Sequence, residues 1–224
     1  MAMNACEQNG YPDKDYKALT ERLRSGFPEA KYIDISGLLS ADDFYYTDSH
    51  WRQERITKVA DEIAAQMGAE RIGTCEIQDT GRPFYGVYYG QAALPHAPER
   101  LFYLDNAVIR GLQVYNVETS SDIPVYDLGA AAGRDPYEMF LGGARSIIKI
   151  TNPNAAQERR LIVFRDSFGS SIAPLLAAGY SEITLVDIRY ISPLSLGKLI
   201  DFTKADDVLF LYSASVINNS ETIK

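Results

Sequence analysis

One serine of the sequence lies where a nucleophile would gain from its surroundings. Ser167 follows an apolar run at 161–164 and precedes a stretch at 172–178 that predicts a helix. A helix that follows a strand directly turns its free N–H groups toward the strand's end, where they stabilise developing negative charge. Asp166 and Ser167 are also residue types that cap helices. This stretch alone therefore allows two interpretations, a nucleophile and a helix cap.

A serine hydroxyl becomes a good nucleophile when a base takes its proton, and the usual base is a histidine held by a carboxylate. The chain contains two histidines. His96 lies in LPHAP (94–98), between prolines and without an adjacent carboxylate, whereas His50 follows Asp48 by two positions. That spacing lets the aspartate hold Nδ1 of the imidazole and leaves Nε2 to face a serine. Ser-His-Asp catalysis by Ser167, His50 and Asp48 is therefore one of the interpretations that these residues leave open.

An Asp-x-His motif is also typical of surface loops and of metal sites. A metal site needs a third ligand, and no cluster of histidine, cysteine and aspartate at ligand spacing supplies one. We therefore predict no metal and no other cofactor. The two cysteines, Cys6 and Cys75, allow at most one disulfide and do not indicate a compartment.

The elements after residue 160 predict a parallel sheet. Three apolar runs alternate with two helical stretches, in the order 161–164, 172–178, 182–186, 194–202 and 207–211. This βαβαβ pattern indicates an α/β fold with helices on the faces of the sheet. Ligands of such sheets bind at the carboxyl ends of the strands, where Ser167, Arg189 and Tyr190 would lie.

The N-terminal third predicts a helix at 13–24, a strand at 31–35 and an amphipathic helix at 54–67 closed by Gly68. Asp48 and His50 lie between the last two elements, in a stretch rich in aromatic residues. Trp51 follows the histidine directly, and we expect it to wall the imidazole on one side.

Between about 73 and 144 the sequence changes character, since tyrosines recur there among glycines, prolines and short β-like runs. We predict one α/β domain over 1–224 with a mostly β, tyrosine-rich insertion or lobe in this range. The tyrosines could stack on sugar rings, but β structure enriches tyrosine in any case, and half-buried strand positions are the simpler interpretation. Near the end of the range, Gly142 and Gly143 could bring backbone close to a ligand or form a turn.

The composition excludes several classes of partner. A net charge of −8 over 224 residues and a pI near 4.8 oppose binding to nucleic acid and to anionic membrane surfaces. No run approaches the roughly 20 apolar residues that span a bilayer. We therefore predict no nucleic-acid partner and no integral membrane segment in this chain.

Several blocks of this sequence are similar to one known family. The segment DSHW (48–51), preceded by YYT, resembles the Asp-x-His-Trp signature of the DHHW proteins and of the alginate O-acetyltransferase-like proteins, which belong to the SGNH hydrolase superfamily. RDSFG (165–169) looks like their nucleophile block. The similarity extends to FLGG (140–143), VDIRY (186–190) and DVLFLY (207–212), and so covers roughly 31 to 212. As in these relatives, Asp-x-His precedes the serine in the chain.

The resemblance implies an SGNH-hydrolase-like parallel sheet with Ser167 as nucleophile, His50 as general base and Asp48 as its orienting acid. It also implies transfer of acyl groups, most often acetyl, to or from hydroxyls of polysaccharide outside the cell. The expected partners are a polysaccharide acceptor and an acyl donor. The expected location is extracellular or at the cell surface of a bacterium, with the signal or anchor trimmed from this chain.

Two departures from the family leave questions open. Arg52 follows Trp51 where the relatives commonly have threonine, and the Gly-x-Asn-Asp block of ordinary SGNH enzymes is absent after Ser167. The oxyanion donors therefore stay open. The alternative functions are a catalytically inactive glycan-binding or scaffold module on the same fold and a cytoplasmic protein that binds a small anion beside Ser167. The candidates for oxyanion or substrate contact, besides the Ser167 N–H, are Arg189, Gly142, Gly143, Tyr190 and Trp51.

Overall fold

The computed structural model describes residues 15–92 and 96–219, which form two β-sheets and a set of short helices. The strands, in chain order, are β1 Glu76–Phe84, β2 Glu99–Asp105, β3 Gln113–Asn116, β4 Ser121–Ile123, β5 Ile147–Thr151, β6 Arg160–Arg165, β7 Glu182–Val186 and β8 Asp207–Leu211. The α-helices are α1 Tyr16–Gly26, α2 Thr57–Met67, α3 Val87–Ala92, α4 Ala107–Gly111, α5 Phe168–Leu176, α6 Pro193–Leu196 and α7 Ala214–Asn218. β1 and β2 pair with each other, and the remaining strands form one sheet in the order β4-β3-β5-β7-β6-β8.

The parallel part of the large sheet is the one that the sequence predicts. β6 pairs in parallel with β7 on one side and with β8 on the other, so that Phe164 lies opposite both Val186 and Phe210. Most side chains of β6 are buried, because helices and loops cover both faces of this strand. The α/β class is confirmed, and Ser167 follows β6 at the carboxyl end of the parallel strands.

The other half of the large sheet is antiparallel. β5 pairs with β7 and β3, and β3 pairs with β4 at the sheet edge. The prediction has no strand between 144 and 161, and it assigns the range of β3 and β4 to the separate lobe. The described structure divides that range between the large sheet and the β1–β2 sheet, because strand pairing depends on distant partners. Whether 73–144 is an insertion stays a prediction.

Two further elements differ from the prediction. Residues 31–35 form no strand, and Asp34 instead accepts hydrogen bonds from the N–H and the hydroxyl of Ser36, which starts a turn. The predicted helix at 194–202 is wrong beyond Leu196, where α6 ends. Asp201 begins a separate turn there because its side chain accepts from the N–H of Thr203.

The long amphipathic helix is confirmed with a later start. α2 buries Val59, Ala60, Ile63 and Ala64, and full burial of one side chain of isoleucine size contributes roughly 1.5–3 kcal/mol. The helix ends at Gly68, whose φ of 66° places it in the left-handed region. α2 packs against α5, so the helix that follows Ser167 is held between the sheet and α2.

Part of the N-terminal prediction lies outside the described residues. Cys6 and the start of the predicted helix at 13–24 belong to that part. α1 begins after Asp15, whose side chain accepts from the N–H of Ala18. No helix in the described part of the chain is long and apolar enough to span a membrane.

Candidate active site

In the turn between β6 and α5, Asp166 and not Ser167 provides the side chain that caps the helix. Asp166 is 1% exposed, and its carboxylate accepts from the N–H of Phe168 at 3.0 Å and from the N–H of Ser213 at 2.7 Å. The side chain of Ser167 makes no capping hydrogen bond. Asp166 therefore ties down the first turn of α5, and the hydroxyl of Ser167 is available for another partner.

That partner is His50, which carries one hydrogen-bonded side chain on each ring nitrogen. Nε2 lies 2.7 Å from Oγ of Ser167, and Nδ1 lies 2.6 Å from Oδ1 of Asp48. The same carboxylate oxygen accepts from the backbone N–H of His50 at 2.9 Å. With the proton on Nδ1, the imidazole donates to Asp48 and accepts from the serine hydroxyl. This is the arrangement in which a histidine can take a proton from serine.

Asp48 is kept as an anion although it is only 2% exposed. Burial alone would raise its pKa, but hydrogen bonds from His50 and from the backbone N–H of Val87 lower the pKa below the usual range. A buried carboxylate of this kind fixes the tautomer of the imidazole and stabilises the imidazolium.

Aromatic rings other than Trp51 enclose the imidazole. The ring of Tyr137 stacks on His50 with 4.0 Å between centroids and 14° between planes, and Phe168 lies 4.9 Å away. Trp51 is 4% exposed and meets Phe168 edge-on at 5.3 Å. The prediction that Trp51 walls the imidazole is therefore wrong, because its side chain lies in the core. A buried indole also offers no surface for substrate, which corrects the second role predicted for Trp51.

Ser171 holds these rings together from α5. Its Oγ accepts from Nε1 of Trp51 at 2.8 Å and from the hydroxyl of Tyr137 at 2.7 Å, and it lies 3.4 Å from the carbonyl oxygen of Phe168. Burial raises the pKa of Tyr137 far above its ordinary value, so that its hydroxyl stays a neutral donor. Tyr137 is one of the recurring tyrosines of the sequence, and nothing local distinguishes it from the others.

Part of the support for Asp48 comes from the start of α3, where no local sequence motif marks a functional residue. The N–H of Val87 donates to Oδ2 of Asp48 at 3.0 Å. A Cβ on Gly86 would lie 2.1 Å from the carbonyl oxygen of Thr47 and 2.5 Å from Cβ of Asp48. Only glycine lets the two segments approach this closely.

The glycine turn before β5 is the second backbone element of interest. Leu141, Gly142 and Gly143 have φ values of 54°, 71° and 75°. The N–H of Gly143 donates to Phe140 within the turn. In the described part of the chain, the N–H groups of Gly142 and Ser167 have no acceptor, so they are the two candidate oxyanion donors that are free to bind a ligand.

A buried guanidinium connects the glycine turn to the serine turn. Arg165 is 0% exposed and donates to the carbonyl oxygen of Asp166 at 3.2 Å, to Oγ of Ser170 at 3.1 Å and to the carbonyl oxygen of Gly143 at 3.4 Å. Burial lowers the pKa of Arg165 from its ordinary value. A Cβ on Gly169 would lie 2.6 Å from Cβ of Arg165, so the glycine of RDSFG makes room for this side chain.

Arg189, the other oxyanion candidate, is occupied by a carboxylate. Its Nε and NH2 donate to the two oxygens of Asp187 at 2.9 and 2.6 Å. These hydrogen bonds raise the pKa of Arg189 above its ordinary value. Tyr190 lies beside it with its ring 5.4 Å from the guanidinium carbon and is half exposed. The structure records no contact of either side chain with Ser167 or His50, and their roles stay predictions.

The tyrosines of the predicted lobe divide between core and surface. Tyr137 is buried, while Tyr85 and Tyr88 are exposed. Tyr103 and Tyr126 line a cavity of about 290 Å³ whose lining includes none of the three predicted catalytic residues. Over residues 15–92 and 96–219, no group of three or more histidine, cysteine, aspartate or glutamate side chains is arranged to hold a metal ion.

The fold is shared with two solved proteins. A DHHW family protein from Eubacterium siraeum matches with 21% identity and a TM-score of 0.61, over 81% of this chain and 62% of that one. Bacillus cereus PatB1 with a sulfonyl adduct matches with 21% identity and a TM-score of 0.63, over 87% of this chain and 67% of that one. A further structure of PatB1 gives a TM-score of 0.58 at 21% identity, over 79% of this chain and 64% of that one.

These matches confirm the resemblance to the DHHW proteins at the level of the fold. The chain spans 62% of the length of the DHHW family protein and 67% of that of PatB1. No protein-family model and no curated protein matches the sequence.

Proposed function

We propose that this chain, which has the fold of a DHHW family protein and of PatB1, is a serine-dependent O-acyltransferase or esterase of the SGNH type. Asp48, His50 and Ser167 form its catalytic triad. The observation that carries the proposal is the pair of hydrogen bonds on the two ring nitrogens of His50, 2.6 Å to Asp48 and 2.7 Å to Ser167. A nucleophile, its base and the group that orients the base are thereby in contact.

In the first half of the reaction, Nε2 of His50 takes the proton of Ser167 as Oγ bonds to the carbonyl carbon of the acyl donor. The Asp48 carboxylate holds the Nδ1 proton and stabilises the imidazolium. His50 then gives its proton to the leaving oxygen of the donor, and the carbonyl re-forms as an acyl-enzyme on Oγ. In the second half, His50 deprotonates an acceptor hydroxyl or water, which attacks the same carbon. The bond from that carbon to Oγ breaks, and His50 returns the proton to Oγ, which restores Ser167.

The backbone N–H groups of Ser167 and Gly142 are the proposed oxyanion donors. Both lack an acceptor among the described residues, and Arg165 links their two turns through Asp166 and Gly143. In other enzymes, loss of a single oxyanion donor lowers kcat by about 10²–10³-fold. Arg189 would join them only by leaving Asp187.

The proposed acceptor is a hydroxyl of extracellular or cell-surface polysaccharide, and the proposed acyl group is acetyl. The similarity to PatB1, which was solved with a sulfonyl adduct, supports a nucleophilic site, because sulfonyl groups form stable adducts with activated nucleophiles. We further propose one SGNH-like domain over 1–224 that acts outside the bacterial cell, with about 73–144 as its lobe.

The test is acetate release from acetylated esters and sugars by the wild type, Ser167→Ala and His50→Ala. His96→Ala is the matched control, because it removes the other histidine, which is exposed and stacks on Tyr46. We expect turnover in the wild type and the control and loss of turnover in the two triad variants. A folded wild type without turnover that nevertheless binds polysaccharide would favour an inactive glycan-binding module instead.

A further inference from the structure

We propose that Glu99 is a positioning residue for the triad, which it serves by fixing the loop that carries Asp48 and His50. This inference rests on the proposed function. Glu99 begins β2, and its side chain is 9% exposed. The sequence places it 52 residues from Thr47, so it belongs to a different part of the chain from either half of the triad.

The carboxylate of Glu99 accepts hydrogen bonds from both arms of this loop, Tyr46 and Thr47 before the catalytic residues and Arg52 after them. Oε1 accepts from the N–H of Tyr46 at 3.0 Å, and Oε2 accepts from the N–H and the hydroxyl of Thr47, both at 2.8 Å. NH2 of Arg52 also donates to Oε1. An ionised carboxylate offers about four acceptor sites, and here four donors use them.

Thr47 transmits this anchoring to the catalytic acid that follows it. Its hydroxyl accepts from the N–H of Gly86 at 3.2 Å, and its carbonyl oxygen accepts from the N–H of Tyr88 at 3.0 Å. Between these two contacts, the N–H of Val87 donates to Oδ2 of Asp48 at 3.0 Å. Glu99 therefore holds the threonine on the same turn that binds the aspartate.

Arg52 closes the other arm of the loop. Its Nε donates to the carbonyl oxygen of Phe44 at 3.1 Å, and the N–H of Tyr45 donates to the carbonyl oxygen of His50 at 3.0 Å. The guanidinium lies over the ring of Tyr45 at 4.8 Å. Glu99 thus bridges the two arms of the loop. Asp48 and His50 lie between these arms, and His50 contacts Ser167.

Loss of this carboxylate would leave donors on both arms without an acceptor, and the loop would shift. Glu99 touches neither Ser167 nor His50, so its removal acts through the placement of Asp48. A displacement of about 1 Å in a catalytic group lowers the rate by up to about 10²-fold. We expect kcat to fall while KM stays near its wild-type value, because Glu99 is not among the residues proposed to contact the substrate.

The experiment compares Glu99→Gln and Thr47→Val with the matched control Thr47→Ser, all in the full chain. Glutamine keeps one acceptor oxygen but presents an NH₂ group to donors, and valine keeps the shape of threonine without its hydroxyl. Thr47→Ser keeps the hydroxyl. The readouts are kcat and KM for an acetylated ester, the rate of fluorophosphonate labelling, and the proton NMR signal of the imidazole Nδ1–H that is bound to Asp48.

The NMR signal is best recorded in a His96→Ala background, where His50 is the remaining imidazole. We expect the downfield Nδ1–H signal in the background and in Thr47→Ser, and its loss or broadening in Glu99→Gln and Thr47→Val. In the two disrupting variants, kcat and the labelling rate should fall at least about 10-fold, with KM within about 2-fold.

Folded Glu99→Gln and Thr47→Val proteins that keep the downfield signal and the wild-type rates would overturn the proposal. If Glu99→Gln does not fold, the comparison of Thr47→Val with Thr47→Ser decides the question alone. If the wild type neither labels nor turns over, but the NMR signal is present in it and is lost in Glu99→Gln and Thr47→Val, the positioning role holds and the proposed function fails. The two failures are therefore distinguishable.

Discussion

The two halves of the candidate site are built in different ways. The serine half is local: Ser167 lies between β6 and α5, and its neighbour Asp166 fixes the first turn of the helix. The half that carries Asp48 and His50 has no long helix or strand of its own. Hydrogen bonds from distant segments shape it, including those to Glu99 and from Val87. The serine half lies between two regular elements, so we expect the histidine half to respond more strongly than the serine half to changes in distant segments.

The largest expected effect tests whether the two halves act as one unit. Ser167→Ala and His50→Ala should each lower kcat by about 10³-fold or more, and the double variant should be no worse than the poorer single variant, since groups that act together are not additive. Steady-state kinetics on an acetylated ester measures all three. Additive losses in the double variant would mean that the two residues work independently.

The next effect concerns Gly86, a glycine that contacts the histidine half of the site. Gly86→Ala places a Cβ against Thr47 and Asp48, so the histidine half must move, and we expect about 10²-fold loss of kcat together with a lower Tm. Gly90→Ala is the matched control in α3, the helix that follows Gly86, because nothing lies within 4 Å of its added Cβ. Equal activity of the two variants would contradict the close approach at Gly86.

A smaller effect concerns the ring that stacks on the imidazole. Tyr137→Phe keeps the stacking on His50 but removes the hydrogen bond to Ser171, so the free energy of unfolding should fall by about 1 kcal/mol with activity nearly unchanged. Tyr137→Leu removes the ring itself and should lower activity as well. Denaturant unfolding and kinetics of the two variants check this, and equal activity of both would exclude a role for the ring in holding His50.

The smallest effect concerns pH and the segment before the histidine half. Burial alone would raise the pKa of Asp43, but hydrogen bonds from Lys58 and Ser40 lower it below its ordinary value. A lowered pKa in the folded state means that the aspartate contributes stability above about pH 4 and loses this contribution as the pH falls through the folded value.

Urea unfolding between pH 7 and pH 3 checks this expectation. Asp43→Asn should be less stable than the wild type at neutral pH and should lose less stability on acidification. Lys58→Met is the companion variant, because it removes the main partner of the carboxylate. Parallel pH profiles of the wild type and Asp43→Asn would show that this carboxylate does not contribute.

The difference between the halves also explains what the sequence could predict. Strands β6, β7 and β8 are apolar runs of ordinary length, so their periodicity indicates the sheet and the position of Ser167. Asp48 and His50 are separated by two positions, and their contact is equally local. These features depend on residues that are close in the chain, so each can be predicted from a single sequence.

The remaining support of the site depends on contacts between distant segments. Val87 reaches Asp48 across 39 residues, and Tyr137 reaches Trp51 across 86. No local pattern marks such partners. The sequence predicts Trp51 beside the imidazole because it adjoins His50, but the indole is buried in the core, where Nε1 donates to Oγ of Ser171, 120 residues away.

The most direct test of the central claim is the site and rate of fluorophosphonate labelling, mapped by mass spectrometry of the digested protein. The expected result is a single labelled residue, Ser167, in the wild type and in His96→Ala, with a rate at least about 10²-fold lower in His50→Ala. Labelling at another serine, or equal labelling of Ser167 with and without His50, would contradict the assignment of a nucleophile and its base.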